Sequence, residues 1–195
     1  MAKLYFRYGT VSSAKTMNLL AVAHNYRRQK KKILVMKPKI DTRYGQDVVQ
    51  SRSGLHTEAD ILLDEKTELD IQNYSGYNCI LVDEAQFLSS ETIDKLRSIS
   101  VEQNIPVICY GLRTDFKTNL FEGSRRLLEL ADSIEEIKTT CGFCNSKAVF
   151  NLKAVDGTYV QTGPQIELGL DETYTAACAA CYLSLIHISE PTRPY

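Results

Sequence analysis

Short apolar runs alternate with amphipathic stretches along residues 1–138 of the chain. Four runs are almost continuously apolar: residues 4–8, 33–36, 79–82 and 107–110. Three stretches carry apolar side chains at helical spacing: residues 15–29, 90–100 and 123–130. We expect Ser90 to be the N-cap of the second of these helices. Because buried strands alternate with helices, the pattern predicts an α/β fold with a parallel sheet covered by helices on both faces.

Two stretches depart from this pattern. Residues 41–77 carry a weaker signal, and we expect a polar, mobile segment there. Residues 184–195 have no period and resemble read-through into a cloning vector, so they and His187 are given no role. Residues 139–183, which lie between the α/β pattern and this tail, predict a small module held together by a metal.

The charge balance excludes some classes of protein. Lys and Arg number 23 against 24 Asp and Glu, a net charge of −1, which argues against a main task of coating nucleic acid or an anionic membrane. The longest apolar runs are far too short to span a bilayer. The first residues also do not follow the pattern of a signal peptide. We therefore expect a cytoplasmic enzyme or regulator.

Four cysteines form two C-x-x-C pairs separated by a long linker: Cys141, Cys144, Cys178 and Cys181. Without a secretory signal, such pairs indicate metal ligands rather than disulfides. Four thiolates make a closed tetrahedral Zn²⁺ site, which is structural because no coordination position stays open for water. Four unrelated free thiols are the alternative.

A predicted strand and helix enclose a loop close to the phosphate-binding motif G-x-x-x-x-G-K-[ST]. The loop comprises Gly9, Thr10, Val11, Ser12, Ser13, Ala14, Lys15 and Thr16. In this motif backbone N–H groups surround phosphate oxygens, while the lysine neutralises phosphate charge and the hydroxyl of Thr16 reaches Mg²⁺. Ala14 replaces the second glycine, and its Cβ is tolerated if φ is negative at that position. A serine-rich N-cap before an ordinary helix is the alternative.

A second motif follows the apolar run 79–82, which leads straight into Asp83 and Glu84. This resembles the second nucleotide-binding motif of P-loop proteins, in which the Asp orients magnesium. Glu84 then lies beside the transferring phosphate, where a carboxylate can accept the proton of an attacking hydroxyl or water. A charged strand end facing water is the alternative.

Taken together, these motifs resemble the cytosolic-type (type II) thymidine kinase family over residues 1–183. The matching stretches are residues 9–16, 41–44, 51–54, 83–87 and 111–116, together with both cysteine pairs and Tyr174. The resemblance implies a P-loop kinase domain over residues 1–138 and a zinc domain over residues 139–183, whose long loop closes over a deoxynucleoside. It implies ATP-dependent 5′-phosphorylation of thymidine with Mg²⁺, a homotetramer and feedback inhibition by dTTP. It implies no nucleic-acid or membrane partner.

The resemblance also implies roles for single residues, with Glu84 as the general base on the 5′-hydroxyl. ATP would contact the loop of residues 9–16 together with Asp41, Arg43, Asp83 and Gln86. Thymidine would contact Phe87, Leu112, Phe116, Phe121, Gln165, Ile166, Glu167, Leu168, Gly169 and Tyr174. Core roles for the aromatic residues Phe116 and Tyr174, and a surface role for Arg43, are the alternatives.

Two other functions fit part of the pattern. Residues 83–86 also resemble the D-E-x-Q motif of helicases, although a helicase core needs a second motor domain for which this length leaves no room. A zinc-ribbon protein that binds nucleic acid would predict a basic face, whereas residues 135–172 are rich in Glu and Asp. Thymidine phosphorylation is the function that the motifs favour.

Overall fold

The computed structural model describes residues 1–166 and 174–188. The helices in these residues are α1 (Lys15–Arg28), α2 (Ser90–Glu102), α3 (Glu122–Leu130) and α4 (Ala179–Ile188). The strands are β1 (Leu4–Tyr8), β2 (Ile33–Pro38), β3 (Val48–Gln50), β4 (His56–Glu58), β5 (Ile61–Leu63), β6 (Cys79–Val82), β7 (Val107–Gly111), β8 (Ser133–Glu136), β9 (Phe150–Val155), β10 (Thr158–Val160) and β11 (Tyr174–Ala177).

The central sheet has the strand order β5-β2-β6-β7-β1-β8, and each neighbouring pair runs parallel. Its strands are apolar almost throughout because both faces are covered. Helices α2 and α3 bury Ile93, Leu96 and Leu127 against one face, and α1 buries Leu19 and Ala23 against the other. The predicted parallel α/β fold is confirmed.

The start of α2 differs from the prediction by one residue. Ser89, not Ser90, is the N-cap: its backbone is extended, and its Oγ accepts a hydrogen bond from the N–H of Thr92 at 3.2 Å. The N–H of Ser90 instead donates to the carboxylate of Glu122 at 2.7 Å. Both serines suit a cap by composition, and the contact with α3 that separates them is not visible in the local sequence.

Residues 41–77 contain more regular structure than their sequence pattern predicts. Strands β3 and β4 form an antiparallel pair, and β5 adds to the edge of the central sheet beside β2. A 3₁₀ turn follows at Ile71–Tyr74, capped by the side chain of Asp70. These strands are only three residues long, so their alternation is too short to distinguish them from loops.

The cysteine module, residues 139–166 and 174–188, contains the antiparallel sheet β10-β9-β11 and helix α4. Its small core comprises Cys141, Leu152, Ala177, Cys178 and Tyr182. Helix α4 continues into the predicted tail, where Leu185 and Ile186 pack against this core. The domain boundaries and the vector origin of residues 184–195 stay predictions. Among the described residues, no helix has the length and apolar character needed to cross a membrane.

Candidate active site

Parallel strands direct their carboxyl ends to the same edge of the sheet, and a cavity of about 310 Å³ opens there. Most of the predicted site residues line it: Val11, Ser12, Ser13, Ala14, Lys15, Thr16, Asp41, Arg43, Asp83, Glu84, Gln86, Phe87, Leu112, Phe116, Phe121, Gln165 and Tyr174. Gly9 and Thr10 line a separate small pocket, and Ile166 is exposed outside the cavity. The predicted contacts Glu167, Leu168 and Gly169 lie outside the described residues.

The backbone at Ala14 does not meet the condition under which a Cβ is tolerated without strain. Ala14 has φ +62° and ψ +26°, the left-handed conformation that glycine adopts easily. Ser12 is left-handed too, with φ +59°. The carbonyl of Ala14 accepts a hydrogen bond from the N–H of Asn18 in helix α1 at 3.0 Å. Ala14 is therefore the N-cap of α1 in a conformation that is strained for a residue with a Cβ.

The substitution Ala14→Gly is expected to raise the free energy of unfolding by about 0.5–1 kcal/mol. It relieves the left-handed strain of an L residue, and part of that gain is offset by the greater freedom of glycine in the unfolded chain. Urea unfolding measures the change. Ala21→Gly, at an exposed helical position of α1, is the matched control and should lose about 1 kcal/mol. An equal loss in both variants would contradict the strain at Ala14.

Lys15 is buried at the base of the loop. Its Nζ donates to the carbonyl of Thr10 at 2.6 Å and lies 3.4 Å from the Oγ of Ser13. Burial lowers the pKa of Lys15 to about 8, although the charges of Glu84 and Asp83 act in the opposite direction. A buried ammonium at the start of a helix makes the loop a site for anions.

Asp83 and Thr16 place two oxygen groups beside this lysine. The hydroxyl of Thr16 donates to Asp83 Oδ2 at 3.1 Å, and the N–H of Asp83 donates to the carbonyl of Met36 at 2.9 Å. Burial, and then the charge of Glu84, raise the pKa of Asp83 to about 7. A hydroxyl and a carboxylate are hard oxygen ligands, so this pair fits Mg²⁺.

Glu84 lines the cavity, and two hydrogen bonds hold its carboxylate. Its Oε1 accepts a hydrogen bond from Arg43 Nη2 at 2.6 Å, and its Oε2 accepts one from Gln86 Nε2 at 2.5 Å. Burial acts to raise the pKa of Glu84, but the charges of Arg43 and then Lys15 hold it below its ordinary value. Glu84 is left-handed at φ +48°, a strain of the kind that concentrates at functional sites.

Arg43 belongs to a chain of charges that begins at a residue the sequence analysis missed. Lys37, only 1% exposed, lies 3.3 Å from Asp41 and donates to the carbonyl of Val48 at 2.9 Å. Asp41 accepts a hydrogen bond from Arg43 Nε at 2.8 Å. The guanidinium of Arg43 therefore bonds to two carboxylates, and its side chain keeps 28% exposure to solvent.

Aromatic side chains form the opposite wall of the cavity. The rings of Phe116 and Tyr174 lie 6.5 Å apart between centroids, and those of Phe87 and Phe121 meet edge to face at 5.8 Å. Gln165 extends across this wall and donates from Nε2 to Asp115 and to the carbonyl of Leu120. The wall offers flat apolar surfaces with few charges, which suits a planar base.

The four paired cysteines converge as the spacing predicts. Their sulfur atoms all lie within 4.8 Å of one another, with Cys144 Sγ 3.6 Å from Cys178 Sγ and 3.7 Å from Cys181 Sγ. A tetrahedron of thiolates around Zn²⁺ needs sulfur atoms about 3.8 Å apart. The N–H of Phe143 also donates to the sulfur of Cys141. The cluster fits a structural zinc ion.

A profile of the family described as Thymidine kinase matches residues 2–182. The chain belongs to the thymidine kinase family. The thymidine kinase of Lactococcus lactis is 44% identical over 184 residues, which cover 93% of this chain and 97% of that protein. The thymidine kinase of Enterococcus faecalis is 43% identical over 184 residues, which cover 93% and 95%. Among solved structures, the Pif1 helicase of Candida albicans has a TM-score of 0.42 at 12% identity, covering 70% of this chain and 36% of that one.

Membership of the thymidine kinase family makes the chain an enzyme, a kinase, as the motifs predict.

Two contacts around its site came from residues that the sequence analysis did not single out. Tyr182 follows the ligand Cys181 and donates from its hydroxyl to the carbonyl of Phe116 at 2.6 Å. Asn151 bonds to the phosphate loop from the cysteine module. A buried asparagine between two apolar neighbours in a strand is the one signal that could have indicated it.

Proposed function

We propose that this enzyme transfers the γ-phosphoryl group of ATP to the 5′-hydroxyl of thymidine. The observation that supports this most directly is that Glu84 lines the same cavity as the buried Lys15 of the phosphate loop and the aromatic Phe116. A carboxylate in that place can accept the proton of a nucleoside hydroxyl that attacks a phosphate bound at the loop.

In the proposed reaction, thymidine lies against the aromatic wall with its 5′-oxygen at Glu84. The 5′-oxygen attacks the γ-phosphorus, its proton passes to the carboxylate of Glu84, and the bond to the bridging oxygen breaks to release ADP. Lys15 and the loop amides hold the phosphates. Mg²⁺ bound at Thr16 and Asp83 would neutralise charge on the β- and γ-phosphate oxygens.

Arg43 has a second role in the proposed reaction. Its guanidinium donates from Nη2 to Glu84 Oε1 at 2.6 Å. The γ-phosphate offers the same guanidinium a stronger bidentate partner, so nucleotide binding frees one oxygen of the base. The buried Asp41 still accepts the hydrogen bond from Arg43 Nε, at 2.8 Å. The expected movement of Arg43 is therefore a rotation of its guanidinium.

The decisive experiment is phosphoryl transfer by the purified protein with labelled ATP, Mg²⁺ and thymidine, with uridine as the comparison. We expect labelled dTMP, little product from uridine, and no stimulation of ATP hydrolysis by DNA. Hydrolysis stimulated by DNA, without transfer to thymidine, would contradict the proposal.

The family resemblance also predicts a homotetramer, inhibition by dTTP and a cytoplasmic location.

The substitution Lys15→Ala is expected to lower kcat roughly 10²–10³-fold with little change in thymidine affinity, because Lys15 acts on the phosphate side. Steady-state kinetics and calorimetric titration with thymidine measure both quantities. Lys95→Ala, on the exposed face of α2, is the control and should leave them unchanged. Lost thymidine affinity with retained ATP use would show that the loop is assigned to the wrong substrate.

The same lysine predicts a pH dependence. Because burial lowers its pKa to about 8, Lys15 loses its charge in the free enzyme as the pH rises through that value. ATP affinity should therefore fall between about pH 7 and pH 9 in the wild type, and this fall should be absent in Lys15→Ala.

A further inference from the structure

Strand β9 of the cysteine module has two faces with different neighbours. Phe150 and Leu152 point to one side and pack in the core around the cysteines. Asn151 and Lys153 point to the other side, towards the α/β domain, and each is only 3% exposed. Lys153 Nζ lies 5.2 Å from the ring centroid of Phe116. Alternate residues of one strand therefore serve the cysteine cluster and the candidate active site.

The side chain of Asn151 joins three segments that are distant in sequence. Its Oδ1 accepts a hydrogen bond from the N–H of Val11 at 2.9 Å, within the phosphate loop. Its Nδ2 donates to the carbonyl of Thr114 at 3.0 Å, in the loop that follows β7 and leads to Phe116. The chemistry leaves only one orientation of the amide, because Val11 can only donate and Thr114 can only accept at these atoms.

Both contacts are with backbone atoms; the contact with Thr114 is buried and the contact with Val11 is part-buried. The Val11 amide precedes Ser12 and Ala14, which have left-handed φ angles of +59° and +62°. Strained residues of this kind persist only where the surroundings hold them. Val11 and Asn151 both line the cavity, so the bond from Asn151 fixes the Val11 amide at the cavity wall.

We propose that Asn151 is a positioning residue that holds the phosphate loop in its nucleotide-binding conformation, so that ATP affinity depends on the cysteine module. The inference rests on the proposed function of the loop. It differs from a role in stability alone, because it predicts a larger effect on nucleotide binding than on thymidine binding: Asn151 bonds directly to the phosphate loop and reaches Phe116 only through the Thr114 carbonyl.

The test compares dissociation constants of Mg·ATP and of thymidine, each measured by calorimetry on the full chain. Asn151→Leu keeps the side-chain size and removes both hydrogen bonds. We expect Mg·ATP to bind about tenfold more weakly or worse, with thymidine affinity changed less than about threefold. An equal loss for both ligands would indicate a merely structural role and overturn the inference.

Tyr182→Phe is the matched variant, since it removes one hydrogen bond from the same module to the carbonyl of Phe116. Because this bond holds the aromatic wall, we expect the opposite selectivity: weaker thymidine binding and unchanged Mg·ATP binding. If Tyr182→Phe also weakened Mg·ATP selectively, the effect would belong to the module as a whole and the role of Asn151 would be refuted.

Asn151→Asp supplies a second, pH-dependent readout that does not depend on the folding of the Leu variant. When protonated, the new carboxylic acid restores both an acceptor for Val11 and a donor for Thr114; when ionised, it faces the Thr114 carbonyl and the phosphates with a negative charge. The ratio of its Mg·ATP dissociation constant to that of the wild type should therefore fall as the pH is lowered from about 8 to about 5.5. A ratio independent of pH counts against the inference.

The outcomes also separate this inference from the proposed function. A wild-type protein that binds no Mg·ATP would overturn the proposed function itself. A wild-type protein that binds Mg·ATP, with Asn151→Leu binding it equally well, would overturn only the role of Asn151.

Discussion

Glu84→Gln is expected to lower kcat for thymidine phosphorylation roughly 10²–10⁴-fold while thymidine and ATP still bind. The amide keeps the size of the carboxylate and can accept one of its two hydrogen bonds, but it cannot take the proton of the 5′-hydroxyl. The hydrogen bonds from Arg43 and Gln86 explain why the wild-type carboxylate is ionised and fixed in place. Single-turnover kinetics with labelled ATP measure the chemical step directly.

Glu91→Gln is the control for this variant. Glu91 is an exposed carboxylate on α2, paired with Lys95 and distant from the cavity, so its loss should leave kcat unchanged. Near-normal turnover in Glu84→Gln would remove this residue from the mechanism. A variant that no longer binds thymidine would instead assign Glu84 to binding.

Removal of the metal is the second change with a large expected effect. We expect one zinc ion per chain by elemental analysis, and Cys178→Ala should lose both the zinc and nearly all activity. A structural zinc site contributes roughly 10 kcal/mol or more of binding free energy that stabilises the folded module. In this chain that module carries Tyr174 and Tyr182, which contact the Phe116 loop.

The buried core cysteine Cys79 provides the matched variant, because it lies outside the cluster. Cys79→Ala should keep its zinc and lose only a modest amount of stability through a small cavity. Protein that contains clearly less than one equivalent of zinc, with all its thiols freely titratable, would contradict the metal site.

The elements that the sequence predicted well are those whose pattern is long and local. The buried strands β1, β2, β6 and β7 are mostly apolar runs, interrupted by Arg7 in β1 and Lys37 in β2, and the C-x-x-C pairs constrain their own geometry. Ala14 is different, because its left-handed φ depends on how the loop meets helix α1 rather than on its own side chain. Lys37 is different again, since nothing in its neighbours shows that its ammonium is buried beside Asp41.

Contacts between distant segments were beyond the reach of pattern analysis. Asn151 and Val11 are separated by 140 positions, and Tyr182 and Phe116 by 66. In both cases one partner is a backbone atom, which leaves no trace in the residue type at that position. The candidate site could therefore be predicted as a set of motifs, whereas the hydrogen bonds that hold the motifs together required the fold.

The two faces of β9 set a limit on how this protein can change over evolution. Side chains in a strand alternate between faces, so the gain or loss of a single residue within Phe150–Val155 would exchange their environments. Polar groups would then enter the core around the cysteines, while apolar groups would face the phosphate loop. Single substitutions can accumulate at these positions, but insertions and deletions within the strand cannot.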